Sequence, residues 1–452
     1  MTEVTLVRWW GVRPRLLALV VVPLALLAGL LAPPASAATR LGGVDVSKYQ
    51  HDNGRPIDWA AVRRSGQSFA FIKATGGTDR VDPWFAREWA AAGRAGMIRG
   101  AYHYADPRGS AAAQAAHVVS VVGTTREKDN LGIVLDLEDD GGLSPARLRV
   151  WAHTFLSEVE RRTGRVPILY TYVYFWQHAM ANDRSFGAYP LWLARYSGTA
   201  PAPLAGWSRW TFWQHSSTSR VPGIPGAVDH NVMCCSAGTL AALADGRSGP
   251  ITALWRRLGG ASGQLGLPLG TEAAVPGGWA QVFEKGYVVT TRAHGTHAVL
   301  GAVWARYRAA GAARGALGVP TAPARVVARG VTQQSFTGGL ILHSAATGAR
   351  VVSGVIGSRW LKDGGVRSQE GLPTGERVGV AQQFRGGGLY ATPGGVRLVP
   401  GAIRDRYEEL GGPASPLGLP ASEAQAVPKG RLVTFELGAL LEVEVGGQRV
   451  VV

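Results

Sequence analysis

The chain has 452 residues, more than one ordinary domain and enough for two or three, each with room for a proper core. Hydrophobic residues make up 46% and charged residues 17%, which excludes a wholly disordered chain, and the 62 glycines follow no three-residue period, which excludes collagen. The formal charge of +16 leaves nucleic acid, a membrane surface or an anionic polymer as the natural counter-surface.

The first segment bears on the compartment. Arg8, Arg13 and Arg15 precede an apolar run over residues 16–32, and Pro33-Pro-Ala-Ser-Ala37 follows. A basic start, an apolar stretch and small residues at −3 and −1 of a cut after Ala37 predict a secretory signal peptide over residues 1–37. An uncleaved membrane anchor is the alternative, but the run lies at the lower edge of spanning length and Pro23 interrupts it. No other segment reaches that length. The expectation is a secreted, wall-associated protein with no membrane span after cleavage, and nucleic acid drops out as a partner.

Short apolar runs alternate with helical patterns over residues 40–240. Strands are expected at 43–46, 69–73, 98–104, 132–137, 166–172, 191–194 and 210–214. Helices are expected at 59–64, 83–95 and 111–122. The clearest helix starts with Ser144 as cap and Pro145 in the first turn, carries Leu148, Trp151, Phe155, Leu156 and Val159 on one face, and stops near Gly164. This alternation predicts an α/β domain with parallel strands, either a barrel or an open sheet. No glycine-rich phosphate loop follows the first strand, which weakens the nucleotide-binding readings.

Residues 241–248 read as a linker, and beyond it the pattern becomes an internal repeat. Gly249, Gly301, Gly354 and Gly401 each stand six residues before an aromatic: Trp255, Tyr307, Trp360 and Tyr407. Ten residues later come Leu265-Gly-Leu-Pro, Leu317-Gly-Val-Pro, Glu370-Gly-Leu-Pro and Leu417-Gly-Leu-Pro, and Phe283, Phe336, Phe384 and Phe435 close the units. Four copies over 249–452 predict one helix-plus-hairpin unit whose apolar face is covered by its neighbours. This half resembles the LGFP repeat family, with Glu370 replacing leucine in the third copy. The resemblance implies attachment to the cell envelope; a rigid spacer is the alternative. Residues 249–452 carry 21 basic and 12 acidic residues, so an anionic cell-envelope polymer is the expected partner of the repeats.

Four acidic residues stand where a barrel would gather them. Asp45 lies in Gly43-Val-Asp-Val-Ser47, Asp136 and Glu138 in Ile133-Val-Leu-Asp-Leu-Glu138, and Asp229 in Val228-Asp-His-Asn231. Residues two apart on a strand share a face, so Asp136 and Glu138 enter one space and hold one carboxyl protonated, as a general acid requires. Tyr102, Tyr104, Tyr170, Tyr172, Trp192, Tyr196 and Trp213 fall near strand ends, where flat rings can stack on sugars. Cys234 and Cys235 are adjacent; two small buried thiols are the expectation, with a vicinal bridge as the alternative.

These residues carry a resemblance to glycoside hydrolase family 25, the Chalaropsis-type lysozymes. The motifs are Gly43-Val-Asp-Val-Ser47, Phe71-Ile-Lys-Ala-Thr75, Gly100-Ala-Tyr-His-Tyr104, Leu135-Asp-Leu-Glu138, Pro167-Ile-Leu-Tyr-Thr171, Leu191-Trp-Leu-Ala194, Trp213-Gln214 and Val228-Asp229, in family order over about 200 residues. The resemblance implies an irregular eight-stranded (β/α) barrel that cleaves the β-1,4 bond between N-acetylmuramic acid and N-acetylglucosamine in peptidoglycan glycan strands. It implies Glu138 as general acid, Asp136 as the residue orienting the substrate's 2-acetamido group, and Asp45 and Asp229 as the remaining acids. Lys73, Tyr102, Tyr172 and Trp192 match substrate-cleft positions. The implied mechanism retains configuration with the acetamido oxygen as nucleophile. Gly76-Gly77 stands where the family commonly has Glu, and Cys234-Cys235 replaces a more usual pair. No metal or cofactor is expected. A glycan-binding protein without catalysis, or a chitinase or glucosaminidase, are the competing readings.

Overall fold

The structure, a computed structural model, describes residues 40–51 and 54–452; the predicted signal peptide lies outside the described residues. The first half is a closed barrel. Its strands are β1 (Gly42–Val46), β2 (Gln67–Gly76), β4 (Ile98–Tyr104), β5 (Asn130–Asp136), β6 (Ile168–Tyr172), β7 (Leu191–Ala194), β8 (Phe212–Ser219) and β9 (Val228–Met233), while β3 (Arg80–Val81) is a short hairpin on β2. Parallel pairing runs from β1 through β8, and β9 lies antiparallel between β8 and β1. All seven residues of β5 are buried, as expected of a parallel strand covered on both faces.

Aromatic side chains fill the barrel. Phe71 stacks on Trp192 with ring centroids 4.2 Å apart, and Phe69 and Phe71 each lie 5.1 Å from Phe212. Glycines make room for them: a Cβ on Gly43 would stand 2.5 Å from the Phe69 ring, and one on Gly100 2.5 Å from Phe71. Outside run α1 (Trp59–Arg64), α2 (Phe85–Arg94), α3 (Ala111–Val122), α4 (Pro145–Thr163), α5 (Val173–His178) and α6 (Ala237–Leu243). Helix α4 buries the expected face from Leu148 to Val159 and ends at Gly164 in the left-handed conformation, φ 72°.

The strand β9 was absent from the sequence expectation. Asp, His and Asn in Val228-Asp-His-Asn231 are poor strand formers, and only pairing with β1 and β8 makes the segment a strand. The cysteines also differ from expectation: Cys234 and Cys235 form a disulfide. They stand half-buried in the bend between β9 and α6, so the adjacent sulfurs meet each other instead of entering the core as separate thiols.

Beyond the barrel, helices and small antiparallel sheets alternate in a stack. The helices are α7 (Pro250–Arg257), α8 (Gly301–Ala309), α9 (Gly354–Lys362) and α10 (Gly401–Glu409), and a sheet of three or four strands follows each one. Helix α8 is packed between the sheets of the first and second copies, α9 between the second and third, and α10 between the third and fourth. The repeat spacing has a direct cause. The polar tip of each helix aromatic donates to the carbonyl of the turn glycine eleven residues on: Trp255 to Gly266 at 2.8 Å, Tyr307 to Gly318 at 2.5 Å, Trp360 to Gly371 at 2.8 Å and Tyr407 to Gly418 at 2.7 Å. Those glycines have φ between 63° and 71°, which side chains resist. The next residue but one, proline, bridges to the closing phenylalanine, as in Pro268 with Phe283.

The first copy is fastened to the barrel. Trp255 and Leu265 share a core with barrel residues Val166 and Leu243, Arg256 pairs with Glu160 of α4, and Arg209 pairs with Glu284 at 2.8 Å. The stretch expected as a linker includes the end of α6 and is held down as well: Arg165 donates to the Leu243 carbonyl at 2.8 Å, and the amide of Asn130 donates to Ala244.

Candidate active site

A cavity of about 710 Å³ opens at the rim where the parallel strands end. Asp45 and Asp136 come from the ends of β1 and β5, and Glu138 stands two residues beyond β5. Because β9 runs backwards, its first residues reach this same rim, and Asp229 is the register partner of Asp45. Asp45, Asp136, Glu138 and Asp229 all line the cavity, with Lys73 from β2, Tyr102 from β4 and Trp192 from β7.

Asp45 is clamped by two amides. Gln214 and Asn231 donate to its Oδ2 at 2.9 and 2.8 Å. Both amides are held in turn: the Trp192 indole donates to Asn231 Oδ1 at 2.7 Å, while the hydroxyls of Tyr170 and Tyr196 donate to Gln214 Oε1 at 3.0 and 3.3 Å. Each amide oxygen accepts, so each –NH₂ must face the carboxylate.

The electrostatics follow from burial and crowding. Burial, then the charge of Asp229, pushes the Asp45 carboxyl well above the usual range. Asp229 is raised by burial, with its hydrogen bond to Asp45 pulling the other way, so the pair favours one shared proton. Asp136 is raised well above normal by burial first and the Glu138 charge second. Glu138, half-buried, is raised by burial, and the Lys73 ammonium opposes the rise. Lys73 Nζ lies 4.7 Å from the Tyr104 ring centroid and 5.8 Å from that of Tyr102. Asp136 Oδ1 is buried and has no hydrogen-bond partner among the described residues, although it belongs to a residue on the cavity wall. Such an acceptor is suited to a donor on an incoming ligand.

Tyr172 does not enter this cavity. It lines an adjoining groove that shares Tyr104 and Glu138 with it, so Glu138 stands where the two spaces meet. Trp213 is turned away from both; its indole donates to the Arg195 carbonyl at 2.8 Å within the outer core. His103 likewise faces α3, between Thr75 at 2.8 Å and Gln114 at 2.9 Å. Gln214 and Asn231 carried no assigned role in the sequence, although both fall within the quoted motifs. Their signal was the strand alternation that puts Asn231 on the face of Asp229. Among the described residues no cluster of His, Cys, Asp and Glu could hold a metal ion.

The sequence profile of the glycosyl hydrolases family 25 matches residues 44–224, and that of the LGFP repeat matches residues 265–315, 317–368 and 369–415. Lysozyme M1 of Streptomyces globisporus is 39% identical over 212 residues, covering 45% of this chain and 71% of that protein. An N,O-diacetylmuramidase of Arthroderma benhamiae is 34% identical over 218 residues, covering 46% of this chain and 91% of its own. The crystal structure of a bacterial lysozyme from Streptomyces coelicolor, 38% identical, covers 46% of this chain and 98% of its own with a TM-score of 0.44.

Proposed function

The chain belongs to glycosyl hydrolase family 25, and from that premise we propose a secreted N-acetylmuramidase that cuts peptidoglycan glycan strands and is held at the envelope by its repeats. The observation that carries the reading is the convergence of Glu138, Asp136, Asp45 and Asp229 on one cavity rim. Burial raises the Glu138 carboxyl, with a smaller push from the Asp229 and Asp139 charges, so that near neutral pH a larger share holds the proton a leaving glycosidic oxygen needs. Glu138 then gives that proton to the oxygen between N-acetylmuramic acid and N-acetylglucosamine as the C–O bond breaks.

Asp136 Oδ1 accepts the N–H of the substrate's 2-acetamido group and turns the acetamido oxygen toward the anomeric carbon. That oxygen forms the new bond, and water later opens the cyclic intermediate with Glu138 as base, a substrate-assisted exception to the two-carboxylate scheme. Asp45 and Asp229, sharing a proton, fix the cavity wall. Lys73, Tyr102 and Trp192 bind the ring at the cleavage point, and Tyr172 meets the glycan in the adjoining groove. The repeats, with 21 basic against 12 acidic residues, contact an anionic cell-envelope polymer.

Mass spectrometry of digested peptidoglycan tests the bond. New reducing ends on N-acetylmuramic acid are expected; reducing ends on N-acetylglucosamine would make the enzyme a glucosaminidase, and none at all would leave a binding protein. Retention of the Glu138→Gln chain on purified walls should weaken as salt rises if the repeats hold a polyanion.

A further inference from the structure

Two of the three junctions between copies are closed by the same ion pair. Arg306, one residue before the helix aromatic of the second copy, reaches Glu376, three residues after the turn proline of the third, with bonds of 2.9 and 2.7 Å. Arg359 and Glu423 occupy the same two positions between the third and fourth copies and meet at 2.8 Å. At the junction of the first and second copies these positions hold Leu254 and Pro323. There, in place of the ion pair, a groove of about 470 Å³ opens between the copies, and both residues line it.

The volume lies within the range of about 300–1,000 Å³ typical of small-ligand sites. Leu254, Pro323, Leu300 and Val303 supply an apolar floor, and the imidazoles of His297 and His343 stand on its wall. His297 Nε2 donates to the His294 carbonyl at 2.6 Å, which fixes that ring in place. No Lys, Arg, Asp or Glu is among the residues lining the groove, although the repeats are rich in arginine. An anionic occupant would find no charge partner there, so the groove suits an uncharged ligand with one apolar face and several hydrogen-bonding groups.

We propose that this groove binds an uncharged N-acetylated sugar unit of a wall glycan. The ring's C–H face and the acetamido methyl rest on the leucine, valine and proline floor, and hydroxyls meet the imidazoles. The proposal rests on the reading that the repeats hold the wall, and it gives them a second contact besides charge.

The test is calorimetric titration of the full-length Glu138→Gln chain with chitotetraose. Adding Leu254→Arg and Pro323→Glu installs the ion pair of the other two junctions and fills the groove; one binding equivalent per chain is expected to disappear. An unchanged stoichiometry would overturn the proposal. An unchanged circular dichroism spectrum and unchanged hydrogen exchange over residues 249–353 in the same double variant show that the first two copies are folded. The milder His343→Ala variant should weaken the groove site by about threefold to tenfold, and unaltered affinity counts against the site. The glucosamine tetramer, lacking acetyl groups, should leave the groove empty; equal binding of it would contradict acetamido recognition. The muramidase reading is judged separately, by reducing ends released by the wild type, so either can fail alone.

Discussion

The barrel and the repeat stack bury polar groups in opposite ways. The barrel draws acids from strands far apart in sequence and crowds them on one rim, where burial and like charge hold Asp45 and Asp136 away from their preferred ionisation. In the stack, polar groups meet partners fixed by the repeat: an aromatic tip with a glycine carbonyl, an arginine with the glutamate of the next copy. The first arrangement costs stability and creates reactivity; the second creates a regular, locally satisfied scaffold. Among the described acids of the stack, one crosses the divide. Glu370 in the third copy sits where the first, second and fourth carry leucine, is 1% exposed, and leaves Oε2 without a hydrogen-bond partner among the described residues.

The largest effect is expected on the barrel side. Glu138→Gln should lower kcat about 10²–10⁴-fold, with little change in unfolding temperature, because the amide keeps the shape and removes only the proton. The wild-type rate needs Glu138 protonated, so activity should hold at acidic pH and fall as pH rises through its raised pKa. Lys73 opposes that rise, and Lys73→Met should therefore carry the alkaline limb to higher pH. A kcat–pH profile whose alkaline limb stays fixed in Lys73→Met would remove Glu138 from the acid role.

Glu370 sharpens the comparison from the other side. Burial raises its carboxyl above the ordinary glutamate value. The folded chain then binds more protons than the unfolded one between the two pKa values, so stability falls as pH rises through that window. Glu370→Leu, which restores the residue of the other copies, should add about 1–3 kcal/mol near neutral pH and flatten that part of the pH dependence. Denaturant unfolding of the full chain at several pH values measures both, and a loss of stability would mean the carboxyl has an essential partner.

Much of this was legible in the sequence, for physical reasons that differ between the halves. Helix α4 was read almost to the residue because Pro145, Gly164 and a one-sided apolar face mark its ends and its core side. The repeat was read from spacing alone, since a bond from a helix aromatic to a turn glycine permits no insertion between them. Strand β9 escaped because its Asp229 and Asn231 are there for the cavity and the amide clamp, against strand propensity. The clamp on Asp45 escaped for a related reason: Gln214 and Asn231 lie 169 and 186 residues from Asp45 and reach it only because β9 closes the barrel between β8 and β1. The position of Tyr172 beside the main cavity, and the turning of Trp213 away from it, depend on side-chain direction at strand ends, which alternation alone does not fix.

The smallest effect concerns the range over which a defect spreads. Tyr407 donates to the Gly418 carbonyl and packs with Phe435 at 4.5 Å, both inside the last copy, while α10 is held between the third and fourth sheets. Tyr407→Phe keeps the ring and deletes the bond, leaving the half-buried Gly418 carbonyl short of a donor; about 1 kcal/mol should be lost. In a stack whose copies touch only their neighbours, that loss belongs to the end of the array. Hydrogen exchange should quicken over residues 401–451 and stay unchanged over 40–300, and hydrolysis of soluble glycan should keep its wild-type rate. Faster exchange in the barrel strands would mean instead that the stack and the barrel unfold as one unit, with the fastening through Trp255, Arg256 and Glu284 passing strain from the far end to the cavity rim.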